Sequence, residues 1–232
     1  MRRSDFAALL AGVPFAANTA MVRAQGSELG AHQLAAAESI LRRLVQNNSV
    51  PGVSYSIGNM ATTLAQSAFG VRSVAPNRPM QASTRCALAS VSKQFAAAAI
   101  FLLQQRGRVS LDAPLSNYLP GYLYARDMTL AQLLTMRAGV AADDEVCEAP
   151  IDGRIDDATL IANLNRHALD FAPGSHFAYS NCGYDVVGAV VARVSGTDYG
   201  RFIAENFFEP LGMASSYVLG SRNDANFAQG YS

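Results

Sequence analysis

The chain has 232 residues, half of them hydrophobic, and its 18 basic and 18 acidic side chains give no net charge at neutral pH. This balance offers no electrostatic reason to bind nucleic acid or an anionic membrane surface. The length and apolar content are typical of a globular protein containing part or all of one domain.

The N-terminal segment has the pattern of an export signal. Arg2 and Arg3 precede an apolar stretch that runs to about Val22, and Ala24 is a small residue at a possible cleavage site. We predict that residues 1–24 are a signal peptide and that the protein is exported, to the periplasm or out of the cell. The alternative is a disordered or helical extension. No other stretch is apolar for long enough to cross a membrane, so stable membrane insertion is not expected.

A helix and a β-hairpin are predicted next in the chain. Apolar residues recur at helical spacing over residues 34–45, and a Pro-Gly pair at residues 51–52 ends this helix. Alternating apolar residues predict a strand at 53–57, and a second strand at about 63–70 completes the hairpin. Residues 31–85 are therefore predicted to form an N-terminal part of helix and hairpin.

Residues 86–215 are predicted to form a mostly helical lobe that carries the functional motifs. Side chains able to cap a helix stand at three boundaries: the capping box of Thr129 and Gln132, either Asp156 or Asp157, and either Thr197 or Asp198. This order of helix, hairpin and helical lobe predicts an α+β fold.

Lys93 is the only lysine in the chain and stands three residues after Ser90. Arginine cannot act as a base, whereas a desolvated lysine can be lowered to a pKa of about 7 or 8. Phe95 and Leu102 recur at helical spacing and Gly107 marks a helix end, which places Ser90 and Lys93 on the first turn of one helix. That helix end favours a developing alkoxide. The pair is predicted to be a nucleophile and its base, and the alternative is a chance spacing.

A second motif, Tyr179-Ser180-Asn181, precedes a helix whose valines at residues 186–194 share one face. A tyrosine phenol beside a lysine can relay a proton, and a carboxamide can hold a substrate amide. The alternative is a loop tyrosine packed on the core, with Asn181 capping the next helix.

Three cysteines, Cys86, Cys147 and Cys182, allow at most one internal disulfide. Cys86 lies four residues before Ser90 and Cys182 directly follows Asn181, so both are expected near the site. The sequence leaves their pairing open, and the favoured expectation is that they are buried small apolar side chains. Neither the cysteines nor the histidines have metal-ligand spacing, and no metal or other cofactor is predicted.

Several motifs in order resemble the penicillin-recognising serine hydrolases, which include class C β-lactamases, D-alanyl-D-alanine carboxypeptidases and β-lactamase-like esterases. The resemblance covers about residues 33–217. The matching segments are Ala89-Ser90-Val91-Ser92-Lys93, Gly107-Arg108-Val109-Ser110-Leu111-Asp112, Leu133-Leu134-Thr135, Tyr179-Ser180-Asn181-Cys182-Gly183-Tyr184 and Glu209-Pro210-Leu211-Gly212-Met213. It implies a β-lactamase/transpeptidase-like fold, with an antiparallel sheet that is incomplete in this chain, packed with helices, and a mainly helical lobe.

The resemblance also implies roles for four residues. Ser90 would be the acylated nucleophile, Lys93 the base that takes its proton, Tyr179 the group that shuttles protons to the leaving group and to water, and Asn181 a substrate-amide ligand. The implied activity is that of a serine hydrolase acting through a covalent acyl-enzyme. Its small-molecule or peptide substrate would carry an ester, D-amino-acid peptide or β-lactam carbonyl.

One element of the family pattern is missing from this sequence. The family has a Lys- or His-led Thr/Ser-Gly triplet, but no lysine follows Lys93, and neither His167 nor His176 begins such a triplet. Residues 25–232 are therefore predicted to be a partial domain of this family. The alternative function is a truncated, catalytically inactive member that acts at most as a binding module.

Overall fold

The computed structural model of the protein describes five stretches of the chain: residues 30–59, 62–142, 146–147, 156–221 and 224–230. The predicted signal peptide, residues 1–24, lies outside the described residues. Residues 30–87 and 224–230 form one compact unit, here called the sheet unit, and residues 88–221 form another, here called the helical unit. Each unit is described by itself.

The sheet unit contains the predicted helix and hairpin. Its elements are α1 (Ala31–Gln46), β1 (Gly52–Gly58), β2 (Thr63–Ser73) and a short β3 (Arg78–Pro79). The three strands pair antiparallel in the order β1-β2-β3. The predicted second strand is longer than its apolar pattern indicated, because β2 pairs with β1 along its first part and with β3 along its last residues.

Side chains hold α1 against the hairpin. The Tyr55 hydroxyl donates a hydrogen bond to Glu38 at 2.5 Å, and the Arg42 guanidinium lies 4.0 Å from the centre of the Phe69 ring. An arginine over an aromatic face is attracted by about 0.5–1 kcal/mol at an exposed site. The apolar parts of these side chains therefore pack between α1 and the hairpin, and their polar groups lie at the edge of this contact.

A late segment of the chain completes the sheet unit. The Nε of Arg85 lies 3.1 Å from the Asp224 carboxylate, and Arg85 forms an isolated parallel bridge with Phe227. The Gln229 backbone N–H also donates to the Arg72 carbonyl at 2.8 Å. Sequence patterns gave no signal for this return, because it depends on partners more than a hundred residues away.

The helical unit is built mainly from helices. Its regular elements are α2 (Lys93–Gln105), α3 (Leu130–Leu134), α4 (Asp157–Leu164), α5 (Asn181–Ser195) and α6 (Tyr199–Ile203), with 3-10 turns at Ala89–Ser92 and Leu115–Asn117 and a π-helical turn at Ala204–Phe208. No helix in the described stretches is both long and apolar enough to span a bilayer.

Helix capping follows the sequence closely. Thr129 and Gln132 form the predicted capping box at the start of α3. Of the alternatives at the next two boundaries, Asp156 caps α4 and Asp198 caps α6. Each side chain accepts backbone N–H groups that the first turn of a helix leaves without an internal partner.

Packing of α2 against α5 forms the centre of this unit. Fully or almost fully buried apolar side chains line their contact region and its surroundings, namely Ala99, Ile100, Leu102, Leu103, Val186, Val187, Val190 and Val191. Burial of such side chains stabilises the fold by about 1.5–3 kcal/mol for each larger residue. This packing fixes the positions of the two helix N-termini, where the predicted functional residues stand.

Candidate active site

Ser90 lies in the 3-10 turn Ala89–Ser92 and is exposed. The expectation that Ser90 and Lys93 share the first turn of an α-helix is therefore wrong in detail, because α2 begins only at Lys93. In a 3-10 turn, side chains three residues apart eclipse each other, so the pair still faces the same side. Ala89 has a left-handed backbone with φ of 45°, a conformation that costs a non-glycine residue about 1–2 kcal/mol. The nucleophile candidate thus follows a strained residue.

Lys93 Nζ is surrounded by three oxygen acceptors. It lies 3.2 Å from Ser90 Oγ and 2.9 Å from Tyr179 Oη, and it also donates a hydrogen bond to Asn181 Oδ1. A lysine side chain has three N–H donors as an ammonium, and as a neutral amine it has two donors and a lone pair that can accept a proton from a neighbouring hydroxyl. Ser90 Oγ and Tyr179 Oη are hydrogen-bonded to each other as well. The structure therefore brings all four predicted site residues together, and their chemical roles stay predictions.

Tyr179 and Asn181 are held by the residue between them. Ser180 is buried and caps α5: its Oγ accepts the Gly183 N–H at 2.9 Å and donates to the Ala141 carbonyl at 2.9 Å. The alternative interpretation of this motif is wrong, because Asn181 is not the cap and the Tyr179 side chain is 46% exposed instead of packed on the core. A serine before a helix pattern is a strong capping signal that could have identified Ser180.

Two tyrosine rings enclose the lysine on its other sides. Lys93 Nζ lies 4.9 Å from the centre of the Tyr179 ring and 5.6 Å from that of Tyr184, within the range of cation–π attraction. The Tyr184 hydroxyl donates to the Leu134 carbonyl at 3.0 Å. Burial raises the pKa of Tyr184, and the neighbouring Tyr179 raises it further, so its phenol stays protonated at neutral pH. Sequence analysis missed Tyr184, although it stands one helical turn after Asn181.

A cavity of about 930 Å³ lies beside these residues, within the helical unit. Lys93, Asn181 and Tyr184 line one side of it. Two of the carboxylates on its wall, Asp156 and Asp198, are helix caps, so their presence has a structural cause. A volume of this size is typical of sites for small molecules or short peptides.

The cysteines differ from the favoured expectation. Cys147 and Cys182 form a disulfide with Cα atoms 5.6 Å apart, and both residues are buried. They are therefore not unpaired apolar side chains. Cys86 is exposed, belongs to the sheet unit and takes no part in a disulfide. Across the part of the chain that the structure describes, no group of three or more His, Cys, Asp or Glu side chains could hold a metal ion.

Comparison with known proteins gives consistent matches. The family model described as Beta-lactamase matches residues 37–231. Protein flp of Staphylococcus aureus (strain MRSA252) is 26% identical over 202 residues, which are 84% of this chain and 40% of flp. Penicillin-binding protein 4* of Bacillus subtilis (strain 168) is 28% identical over 161 residues, 66% of this chain and 35% of that protein. The chain thus spans less than half the length of these two relatives.

Solved structures with the same arrangement of elements include a D-amino acid amidase from Ochrobactrum anthropi SV3, crystallised with L-phenylalanine amide. Its TM-score is 0.73 at 28% identity, over 85% of this chain and 57% of the amidase. A class C beta-lactamase has a TM-score of 0.69 at 26% identity, over 84% and 53% of the two chains. An octameric penicillin-binding protein homologue from Pyrococcus abyssi has a TM-score of 0.70 at 26% identity, over 85% and 48%.

Proposed function

Because the chain belongs to the Beta-lactamase family of penicillin-recognising serine hydrolases, we propose that it hydrolyses its substrate through a covalent acyl-enzyme on Ser90. The predicted β-lactamase/transpeptidase-like fold is confirmed by the family match and by the structural neighbours. One observation supports the proposed mechanism most directly: Lys93 Nζ lies within hydrogen-bond distance of both Ser90 Oγ and Tyr179 Oη. A nucleophile with a base in reach, and a second proton carrier beside that base, is the arrangement acyl transfer needs.

In the proposed first step, Ser90 Oγ attacks the substrate carbonyl carbon while Lys93, as a neutral amine, takes the hydroxyl proton. The bond between the carbonyl carbon and the leaving group then breaks, and Tyr179 passes the proton to the leaving group. Asn181 would hold an amide of the substrate through its carboxamide. Ser90 becomes an ester of the acyl group in this step, and the leaving group gains one hydrogen; it departs from an ester or peptide and stays attached through the opened ring of a β-lactam.

In the proposed second step, water attacks the ester carbonyl and releases the acid. Tyr179 and Lys93 would remove the proton of the water and return one to Ser90 Oγ, which restores the starting enzyme. General acid–base catalysis of this kind contributes typically about 10²–10⁴-fold to a rate. The tyrosine and lysine are close enough to exchange a proton directly, at 2.9 Å.

The proposed substrate class follows from the site and the relatives together. We propose a small-molecule or peptide substrate with an ester, D-amino-acid peptide or β-lactam carbonyl. Two structural neighbours are described as a D-amino acid amidase and a class C beta-lactamase, and their names support a substrate with one of these carbonyl groups. The cavity volume suits a molecule of this size. The proposal includes export, for which the arginines and the apolar stretch of residues 1–24 are the support.

Covalent labelling tests the role of Ser90. A fluorescent fluorophosphonate and a fluorescent penicillin are incubated with wild type, with Ser90→Ala and with Ser92→Ala, which removes a neighbouring hydroxyl from the same turn. We expect the fluorophosphonate to label wild type and Ser92→Ala, and to spare Ser90→Ala. Equal labelling of wild type and Ser90→Ala would refute the assignment. Absence of any adduct in the wild type would favour the binding-module alternative.

Lys93→Arg tests the role of the base separately from its charge. Arginine keeps the positive charge but does not lose its proton in proteins. We expect the acylation rate to fall by about 10²-fold or more, since general-base catalysis is lost. Stopped-flow measurement of adduct formation reports this rate. An acylation rate close to that of wild type would contradict the role given to Lys93.

A further inference from the structure

We infer that the Cys147–Cys182 disulfide positions Asn181, so that reaction with amide-bearing substrates requires the oxidised chain. Cys147 and Cys182 are thus positioning residues, which act through Asn181 without touching the reacting atoms. The inference rests on the proposed function, because it presumes that Ser90 is acylated and that Asn181 holds a substrate amide.

The place of Cys182 in α5 is the first support for this inference. Cys182 directly follows Asn181 in the first turn of the helix and has no exposed surface. The bond to Cys147 therefore fixes the buried side of the first turn of α5. Asn181, the residue before Cys182 in this turn, faces Lys93. A helix end that is fixed on its buried side has less freedom to rotate or fray, and the Asn181 carboxamide is correspondingly better placed.

The place of Cys147 is the second support. Cys147 lines the same cavity as Lys93 and Asn181 and is itself buried. The disulfide thus joins a wall of the cavity to the helix that carries the amide ligand. If the bond is absent, the wall and the helix are free to separate, and both the shape of the cavity and the direction of Asn181 change.

Hydrogen bonds hold Ala141 and Ala142, which precede Cys147 in the chain. The Ala141 carbonyl accepts from Ser180 Oγ at 2.9 Å, and the Ala142 N–H donates to the Asp170 carboxylate at 2.9 Å. Cys147 comes five residues after Ala142 in the sequence. The disulfide supplies a covalent attachment at Cys147 itself.

The bond forms by thiol–disulfide exchange with a disulfide donor, a protein or small molecule. One cysteine thiolate attacks a donor sulfur, forms a mixed disulfide and releases the other donor sulfur as a thiolate; the second cysteine thiolate then attacks the mixed disulfide and releases the remaining donor sulfur as a thiolate. The two cysteines lose two electrons and two protons, and the donor disulfide gains the electrons. Because both sulfurs belong to buried residues, oxidation has to precede or accompany folding. Such oxidation is ordinary in exported proteins.

The test compares two probes that differ in their need for Asn181. A fluorophosphonate with an alkyl chain carries no amide beside its reactive phosphorus and reports the reactivity of Ser90, whereas a fluorescent penicillin carries an amide beside its reactive carbonyl. The proteins compared are Cys86→Ala, which retains the disulfide, and the triple variant Cys86→Ala/Cys147→Ala/Cys182→Ala. We expect the triple variant to lose about ten- to a hundredfold in penicillin acylation and at most about threefold in fluorophosphonate labelling.

Val191→Ala in the Cys86→Ala background is the matched control. Val191 is completely buried in α5 but stands ten residues after Asn181, so its truncation destabilises the same helix far from the site. We expect this control to react with both probes as Cys86→Ala does. An equal loss with both probes in the triple variant would indicate a merely structural disulfide and overturn the inference, and so would unchanged penicillin acylation.

Two further measurements keep the inference testable if the triple variant does not fold. Denatured, unreduced Cys86→Ala should show no reactive thiol, and two thiols would overturn the inference outright. Cys86→Ala that is denatured, reduced with a phosphine and refolded without an oxidant should show lower penicillin acylation, and refolding with oxidised glutathione should restore it. If oxidised Cys86→Ala is not labelled by the fluorophosphonate, the proposed function fails and takes this inference with it. If it is labelled but does not react with penicillin, only the role of Asn181 and this inference fail.

Discussion

Ser180→Ala removes one hydroxyl group and is expected to destabilise the protein more than the loss of an ordinary helix cap does. The serine side chain makes two hydrogen bonds inside the fold, as acceptor from the Gly183 N–H and as donor to the Ala141 carbonyl, each at 2.9 Å. Loss of a helix N-cap costs about 1 kcal/mol, and a buried carbonyl that loses its donor costs about 1–3 kcal/mol more. The free energy of unfolding should therefore fall by about 2–4 kcal/mol.

Urea denaturation followed by far-UV circular dichroism measures this change, with Thr129→Ala as the matched control. Thr129 caps α3 through its Oγ, which accepts the Gln132 N–H at 3.2 Å, but within the described stretches this Oγ donates to no buried carbonyl. Thr129→Ala should cost only about 1 kcal/mol. If Ser180→Ala costs no more than Thr129→Ala, the bond to Ala141 contributes nothing and the reasoning fails.

Two further comparisons follow from backbone conformation and from titration. Gly139→Ala should prevent stable folding, because the φ of Gly139 is +74° and an added Cβ would lie 2.0 Å from the Phe171 carbonyl oxygen. An added Cβ at Gly107 would lie in open space, so Gly107→Ala should lower the free energy of unfolding by only about 1 kcal/mol. Thermal melting distinguishes the two, and similar midpoints would contradict the packing argument. Hydrogen bonds from Thr159 lower the pKa of Asp156, while burial raises that of Asp157 above the ordinary value of 3.8. Ionised Asp156 therefore stabilises the fold above pH 4 and loses this effect at lower pH, whereas ionised Asp157 opposes folding until it is protonated. In melting curves at pH 7 and pH 3, Asp156→Asn should be destabilising mainly at pH 7 and Asp157→Asn stabilising mainly at pH 7. The opposite pH dependence for either variant would contradict its assignment.

Local features of the fold were predictable because their causes lie within a few residues. The capping box of Thr129 and Gln132 needs only the preference of a threonine oxygen for the N–H groups of the next turn. The valines of α5 mark its buried face by their spacing alone, and Gly107 follows the helix end where a left-handed residue is needed. The mistake about Ser90 was equally local: the spacing of Ser90 and Lys93 fits an α-helical and a 3-10 turn alike.

The amino-acid sequence by itself determined the helix and hairpin, the capping box of Thr129 and Gln132, the family and the pairing of a serine with the only lysine, because each depends on neighbours or on ordered motifs. Only the tertiary structure decided that Lys93 meets Tyr179, that Ser180 holds Ala141, and that Cys147 rather than Cys86 bonds Cys182. These contacts join segments 35 to 86 residues apart. Apolar burial packs α2 beside α5 and thereby brings Lys93 to Tyr179. Ala141 and Cys147 belong to neither helix, and no periodicity within α5 indicates that they contact its N-terminal turn.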